Sequence, residues 1–387
     1  MSSMPTKRRG QDDGQNQLGG CKRSRRHRKH LYLVLDDRYN AFSIHKIDVN
    51  AFAPVPDDQQ DLPVGLAAVT GNLPEPPVLR LESPAGRMNH RHAFFSAMGG
   101  KIFALMNQRS ALVYDTATGV LALGPQAPPR MVCGFGVTVA VGEALYALSY
   151  RAFDQEKKEH SFEVMSWAPT APDARQHPTK GWSWKTLPLP PPAPPSFTSD
   201  HKVVSYALHP DGSSIFMTTA SRYAPGIPVG TYSFNTRDHV WKWQGSWALP
   251  FHGRGYFDGD LDAWVGLHRD GYVCACKVAS RCSNSTTPLL QLDWQMTKEK
   301  LFHKDLDKHL HASLTYMGRG RFCVLESESM EQEGLEAEHR GCYMLRLTIF
   351  GLKYNHKGEL QTANHKTTRS YLVHSYNSNF NPTAFWM

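Results

Sequence analysis

From His30 onward, short apolar runs recur along the chain with turn residues between them. Leu31–Leu35 is an unbroken apolar run short enough for one buried strand. Phe42–Val49 alternates, with Phe42 and Ile44 on one side of a polar break and Ile47 and Val49 on the other. Val78–Leu81 is a third strand. The segments 92–98, 101–106, 111–114 and 120–123 follow within 32 residues, punctuated by Gly99-Gly100 and by Asp115–Gly119. Four strands so tightly connected must pair antiparallel, which makes a meander. Val132–Ser149 is almost entirely apolar, with Glu143 its only charge. Its glycines and partial alternation predict a buried hairpin turning at Gly142-Glu143 rather than a membrane span.

The pattern then repeats. Trp182-Ser-Trp184 and Trp241-Lys-Trp243 are 59 residues apart, and so are Leu208-His-Pro-Asp211-Gly212 and Leu267-His-Arg-Asp270-Gly271. Asp-Gly suits the positive φ angles of a tight hairpin. Each unit therefore reads as a Trp-x-Trp strand, a strand, an Asp-Gly turn and a further strand. A last unit spans 312–316, 321–325 and 342–350. Units of roughly 60 residues, each a four-stranded sheet, indicate an all-β fold, a β-propeller of about six blades over residues 30–387. The expected blade-turn residues are Gly99, Gly100, Gly142, Asp211, Gly212, Asp270 and Gly271. The first unit supplies only three strands, and Tyr371–His374 is the expected fourth that closes the ring. A pair of β-sandwich domains is the rival architecture.

Composition agrees with this. Hydrophobic residues make up 41% of the 387, charged residues only 20%, with 30 Gly and 26 Pro, a profile of many turns around a sizeable core. The seven cysteines are an odd, scattered set, and no apolar signal segment precedes them, so a reducing intracellular compartment is expected.

One segment, Gly99-Gly-Lys-Ile-Phe-Ala-Leu105 with Leu112-Val-Tyr-Asp-Thr116 and a Pro-rich exit at Pro125, Pro128 and Pro129, resembles a kelch blade. Arg28–Asp37 with Ser43–Asp48, then Ala111–Pro125 and Leu261–Leu267, are similar to a plant family of unknown function expanded in grasses, domain of unknown function 1668. The resemblance spans most of the chain after residue 28. It implies a kelch-like propeller, in keeping with the count of about six units, and carries over no catalytic residues. Many plant kelch proteins carry an F-box ahead of the propeller, but the arm here is too short and too polar for that module.

Charge changes the picture at one end only. The formal net charge is +8, yet residues 1–30 hold nine basic groups against two acids, leaving 34 basic and 33 acidic groups beyond. A uniformly basic nucleic-acid-binding body is thereby disfavoured. Residues 1–29 lack periodicity and large apolar groups, so a disordered basic arm is expected. Lys7, Arg8 and Arg9, then a spacer, then Lys22, Arg23, Arg25, Arg26, Arg28 and Lys29 have the spacing of a bipartite nuclear localisation signal. An importin-type receptor would bind both clusters at once, with an avidity gain. The alternatives are a solubilising tail, or a salt-dependent contact with nucleic acid.

Other candidates weigh toward structure. Cys274-x-Cys276 with Cys282 lacks a zinc partner at finger spacing and reads as buried thiols on a strand face. Asp258-Gly-Asp-Leu-Asp262 begins like a calcium loop, but its twelfth position is Arg269 where a bidentate Glu is needed, so a polar rim loop is expected. His90/His92 and His309/His311 come without a carboxylate ligand set. Leu187–Pro195 should be a stiff polyproline connection between blades. Trp182, Trp184, Trp241 and Trp243 read as packing between blades, with Trp294 and Trp386 freer to sit at a rim. No metal, cofactor or membrane contact is expected. The expectation is a nuclear, non-enzymatic interaction protein that binds a protein partner through rim loops. Nucleic-acid association is the first alternative, and an enzyme acting on a sugar or small molecule is the second.

Overall fold

The computed structural model describes residues 28–37, 41–52, 72–82, 93–105, 110–131, 135–149, 161–169, 180–191, 196–198, 200–224, 228–278, 292–302, 308–330, 341–375 and 380–387. Among them there is no α-helix. The apolar runs pair with their chain neighbours into antiparallel meanders, and so each becomes a strand. The first meander holds β1 (Leu31–Asp37), β2 (Ala41–Ile47) and β3 (Leu79–Glu82). The next are β4 (Phe94–Met98), β5 (Lys101–Leu105), β6 (Ser110–Asp115) and β7 (Leu121–Gln126), then β8 (Phe135–Val141), β9 (Ala144–Ser149), β10 (Phe162–Pro169) and β11 (Lys180–Thr186). They continue with β12 (His201–Leu208), β13 (Ser214–Ser221), β14 (Pro228–Asn235) and β15 (Val240–Gly245), and with β16 (His252–Asp258), β17 (Ala263–Leu267), β18 (Val273–Lys277) and β19 (Trp294–Met296). Last come β20 (His309–Gly318), β21 (Arg321–Ser329), β22 (Cys342–Tyr354), β23 (Leu360–His374) and β24 (Thr383–Trp386).

The chain's end completes the first sheet, whose order is β24-β1-β2-β3. This corrects the expected closing strand. Tyr371–His374 lies in β23, paired with β22 from Cys342↔His374 to Leu345↔Tyr371, and Thr383–Trp386 closes on β1 instead. Beyond the strand, His30 and Met387 exchange backbone hydrogen bonds of 2.6 and 3.0 Å. An edge left open at β1 would expose unpaired backbone groups, and β24 covers it.

Successive meanders pack face to face. Met98, Phe103 and Val113 meet Leu145 and Met165. Val139 and Phe162 meet Ile215 and Phe234. Phe216 meets Phe251 and Trp264, and Val265 and Val273 meet Phe322 and Val324. Leu325 and Leu345 then meet Leu31 and Leu33, and Tyr32 and Ile44 meet Ile102 and Tyr114. Every sheet thus covers both its faces with neighbours, which a lone meander cannot do. The first strands of the meanders, with β24, approach one another in the order β4, β8, β12, β16, β20, β24. Antiparallel sheets stacked radially about a shared inner edge are the architecture of a β-propeller.

One interface differs. The strands β12 and β16 pair in parallel, at Ser205↔Gly253, Tyr206↔Arg254 and Ala207↔Gly255, and join two meanders into an eight-stranded sheet. Gly255 and Gly266 make the close approach possible. A Cβ on Gly255 would lie 2.6 Å from Cε2 of Phe251, and one on Gly266 would lie 2.7 Å from its Cδ1. The Phe251 ring, 1% exposed, fills the slot those two hydrogens leave.

The 59-residue coincidence has two different origins. Trp182 and Trp241 occupy the same place, the last strand of consecutive meanders (β11 and β15), where each packs on the preceding sheet. The Asp-Gly motifs do not. Leu208–Gly212 joins a first strand to a second (β12 to β13), whereas Leu267–Gly271 joins a second to a third (β17 to β18). The two turns therefore emerge at opposite ends of their sheets.

Candidate functional site

Parallel β12 and β16 put their first residues at one end of the molecule, here called the entry end. A cavity of 470 Å³ opens there. Phe94 of β4, Gly136 of β8, Lys202 of β12 and His252 of β16 all line it, each the first or second residue of an inner strand. Because β17 runs back against β16, the β17–β18 turn returns to the same end and adds Arg269. Val203, Val204, Ala220, Pro228 and Leu249 supply apolar wall. The volume lies in the ordinary range for ligand pockets.

Irregular pairing builds this cavity. The β12–β13 register slips between Val203 and Ser205, the β13–β14 register slips between Thr219 and Ala220, and β16 leaves β17 between His252 and Tyr256. Bulges bend a strand and re-aim side chains, and these lie beside the cavity. The segment between β15 and β16 is pinned by a directional chain of hydroxyls. Thr231 Oγ1 donates to the Trp247 carbonyl at 2.8 Å, so Thr218 must donate to Thr231 at 2.9 Å, and Thr218 Oγ1 accepts from the Leu249 N–H at 3.0 Å. Ser205, opposite both Thr218 and Gly253, is fully buried and its hydroxyl has no hydrogen-bond partner.

The charged groups lining the cavity are of one sign. Lys202 and Arg269 are cations, His252 is a third ionisable group, and no carboxylate is among the described lining residues. Arg269 Nε lies 3.8 Å from Asp270, but both side chains are more than half exposed, so that pair holds the guanidinium only weakly.

A second cavity, of 310 Å³, lies where the first and last sheets meet, with His45 and His374 in its wall. His45 donates through Nδ1 to the Pro74 carbonyl at 2.9 Å, which leaves Nε2 to accept from Ser43 at 3.1 Å. His374 Nδ1 is 3.0 Å from Cys342 Sγ.

Of the residues expected to signal import, Lys7, Arg8, Arg9, Lys22, Arg23, Arg25 and Arg26 lie outside the described residues. Arg28 and Lys29 are exposed at the propeller's edge, and Arg28 pairs with Asp48 at 2.8 Å. Gly99-Gly100 turns between β4 and β5 and Gly142 between β8 and β9, all at positive φ. Asp211 and Asp270 precede Gly212 (φ 69°) and Gly271 (φ 93°), and the backbone N–H of each donates to Nδ1 of the histidine two residues earlier, at 3.1 and 3.3 Å. Asp211 Oδ1 also takes the Ser213 and Ser214 N–H groups; these outweigh burial and hold its carboxyl at about 2.

Asp258 departs from the polar rim loop expected of it. It is fully buried: Oδ1 accepts from the Asp260 and Leu261 N–H groups and Oδ2 from Gly320 N–H at 2.8 Å in the next sheet. Backbone donors there occupy the oxygens a cation would need. No cluster of three metal-ligating side chains occurs among the described residues. Cys274 and Cys276 sit together in one apolar cluster, and burial pushes the Cys274 thiol up. Cys21, Cys133 and Cys282, and His90 and His92, lie outside the described residues. Leu187 is buried, and the Pro188 carbonyl accepts from Trp241 Nε1 at 3.0 Å, so the start of the Pro-rich run is packed against a blade. Trp294 stacks on His268 and Trp386 pairs in β24, so neither is free of the body. No helix among the described residues is long and apolar enough to cross a membrane.

Lys202 and His252 were not evident as site residues in the sequence. They are 50 positions apart and follow no motif; only the shared direction of β12 and β16 brings them together.

The model of a family described as a protein of unknown function (DUF1668) matches residues 28–371. No curated protein matches the chain. Among solved structures, a Bacteroides thetaiotaomicron protein of unknown function is similar at TM-score 0.40 and 8% identity, covering 89% of this chain and 76% of its own. The Cps50 (Swd1) β-propeller domain of Myceliophteria thermophila follows at 0.37 and 9%, covering 85% and 81%. Apo AztD from Citrobacter koseri stands at 0.35 and 9%, covering 93% and 99%. Such scores and identities are too low to bear on function or partner.

Proposed function

The chain belongs to the DUF1668 family, and from that premise we propose that it is a non-enzymatic protein-interaction scaffold on a six-bladed, kelch-like β-propeller. Four-stranded meanders stacked face to face, with the chain's last strand completing the first of them, support the blade count. The kelch-like character is supported by the Gly99-Gly100 turn, the inward Tyr114, and Asp115. That carboxyl takes the Ala117 and Thr118 N–H groups and Lys101 Nζ. The observation that carries the binding role is the entry-end mouth. There four inner strands and two connecting segments converge on one concavity while the sheet faces are spent on each other. Loops on a rigid scaffold are where binding residues concentrate.

The test is affinity purification after nuclease digestion, comparing the wild type with the Lys202→Glu/Arg269→Glu double variant at equal folded yield. The scaffold reading expects one or more proteins to be lost selectively with the variant. Identical protein sets, or a set that vanishes with nuclease, would refute it.

The arm is proposed to take the protein to the nucleus through an importin-type receptor. Its bipartite spacing supports this, and the Arg28–Asp48 pair is solvent-exposed and therefore weak, so it does not hold Arg28 back from a receptor. Deleting residues 1–29 should abolish nuclear accumulation and leave partner binding intact. Continued accumulation would refute import by the arm. Loss of partner binding together with release by salt would favour nucleic-acid association instead.

A further inference from the structure

We infer that the entry-end cavity is a binding site for a carboxylate carried on an apolar body. This deepens the scaffold reading by naming what the mouth takes, and the closing experiment can fail independently of that reading.

The first ground is charge. The cations Lys202 and Arg269 come from different segments, the start of β12 and the β17–β18 turn, and His252 from a third, the start of β16, yet all line one cavity with no carboxylate among its described lining residues. Cations converging in a concavity attract an anion, and low-dielectric walls strengthen that attraction. Lys202 is only half-exposed, and its ladder partner Ala220 also lines the cavity, so the lysine sits in the wall.

The second ground is hydrogen bonding. Ser205 is 0% exposed and its hydroxyl is unpartnered, on the strand that carries Lys202 and directly across from the lining residue Thr218. A buried hydroxyl without a partner is costly to keep. Thr218, across the ladder, does not satisfy it: its hydroxyl donates to Thr231 and accepts from the Leu249 N–H, and it makes no hydrogen bond with Ser205. Ser205 stands behind the lining rather than in it, and a carboxylate held by Lys202 has a second oxygen to offer that hydroxyl.

The third ground is the wall itself. Phe94, Val203, Val204, Pro228, Leu249 and Phe251 make most of the lining apolar. A bare inorganic anion would leave those surfaces unfilled. An apolar group bearing a single carboxylate matches both halves of the cavity. Either a short organic acid or the C-terminal residue of a peptide supplies that chemistry.

Isothermal titration of the full-length protein tests this with phenylacetate, phenylacetamide, inorganic phosphate, and the tripeptide Ala-Ala-Phe with a free or an amidated C-terminus. Phenylacetate should bind at least about tenfold more tightly than phenylacetamide and phosphate, the size expected of one charge-assisted hydrogen bond. Lys202→Met should weaken phenylacetate by a similar factor. Ser205→Ala should weaken it too, while leaving the thermal midpoint of the free protein unchanged or raised. Tighter binding of the free-acid tripeptide than of phenylacetate identifies a chain terminus as the source; the reverse order identifies a small acid. Equal binding of acid and amide, equal binding of phosphate, or full affinity in Lys202→Met overturns the inference. Failure here while the charge-reversed variant still loses a protein partner leaves the scaffold reading standing. Phenylacetate binding with no mouth-dependent partner sinks only the scaffold reading.

Discussion

Gly266→Ala isolates the packing that joins the two halves of the eight-stranded sheet. Both Gly255 and Gly266 have ordinary φ values, so alanine meets no backbone strain at either, and in a strand it should even gain about 0.5–1 kcal/mol in conformational entropy. What opposes it is the Phe251 ring. The new methyl would sit 2.7 Å from Cδ1 and closer still to Cγ and Cβ, where ordinary contact begins at 3.4 Å. Phe251 must therefore move by close to 1 Å, against its packed neighbours or toward the entry-end cavity it lines, an overpacking cost of about 1–3 kcal/mol. Phe251→Ala alone should cost about 3–5 kcal/mol through the cavity it leaves. The double variant is decisive, because with the ring gone the alanine methyl has space. Its loss should fall short of the sum of the single losses by about 1–3 kcal/mol. Urea unfolding of the four proteins, read by tryptophan fluorescence, measures the cycle. An additive cycle, or a Gly266→Ala protein within about 0.5 kcal/mol of wild type, would refute the steric account.

Three further outcomes are expected. Removing residues 381–387 strips β24 from β1 and should lower the thermal midpoint sharply, with partial recovery on adding a synthetic peptide of that sequence; an unchanged midpoint would mean that closure by β24 is dispensable. Asp258→Ala leaves the Gly320, Asp260 and Leu261 N–H groups without their acceptor and should cost about 2–4 kcal/mol in chemical denaturation, whereas Gly259→Ala, with open space around its Cβ, should cost far less. His311 is held at about 4, first by burial and then by the neighbouring His309 charge, so the unfolded chain takes up its proton first as pH falls. Stability from this site is complete above pH 6.5 and is lost progressively toward pH 4; His311→Asn should flatten that part of the stability–pH curve, and an unaltered slope would remove His311 as its source.

Much of the fold was legible because strands and tight turns are local. The strand at Phe42–Ile47 and the Gly99-Gly100 and Gly142 turns depend on residues a few positions apart, and each is found where the pattern places it, whereas the Trp182 and Trp241 strands repeat as read but end their meanders instead of starting them. Misreadings arose where pairing partners are distant. Tyr371–His374 and Thr383–Trp386 are both strand-like, and nothing local says which of them meets β1, more than 300 residues away. Asp258 looked like a rim carboxylate because its polar neighbours are local, while one of its three donors, Gly320, comes from the next sheet.

The sequence by itself determined an all-β chain of repeated meanders, the concentration of basic charge in residues 1–30, and the family to which it belongs. Tertiary structure decided the rest. A strand's end carries no label of the face it will reach, so two identical-looking Asp-Gly turns went to opposite ends, and Lys202, His252 and Arg269 came to one mouth. Strand direction and register, set by burying every sheet face against a neighbour, convert scattered residues into a site.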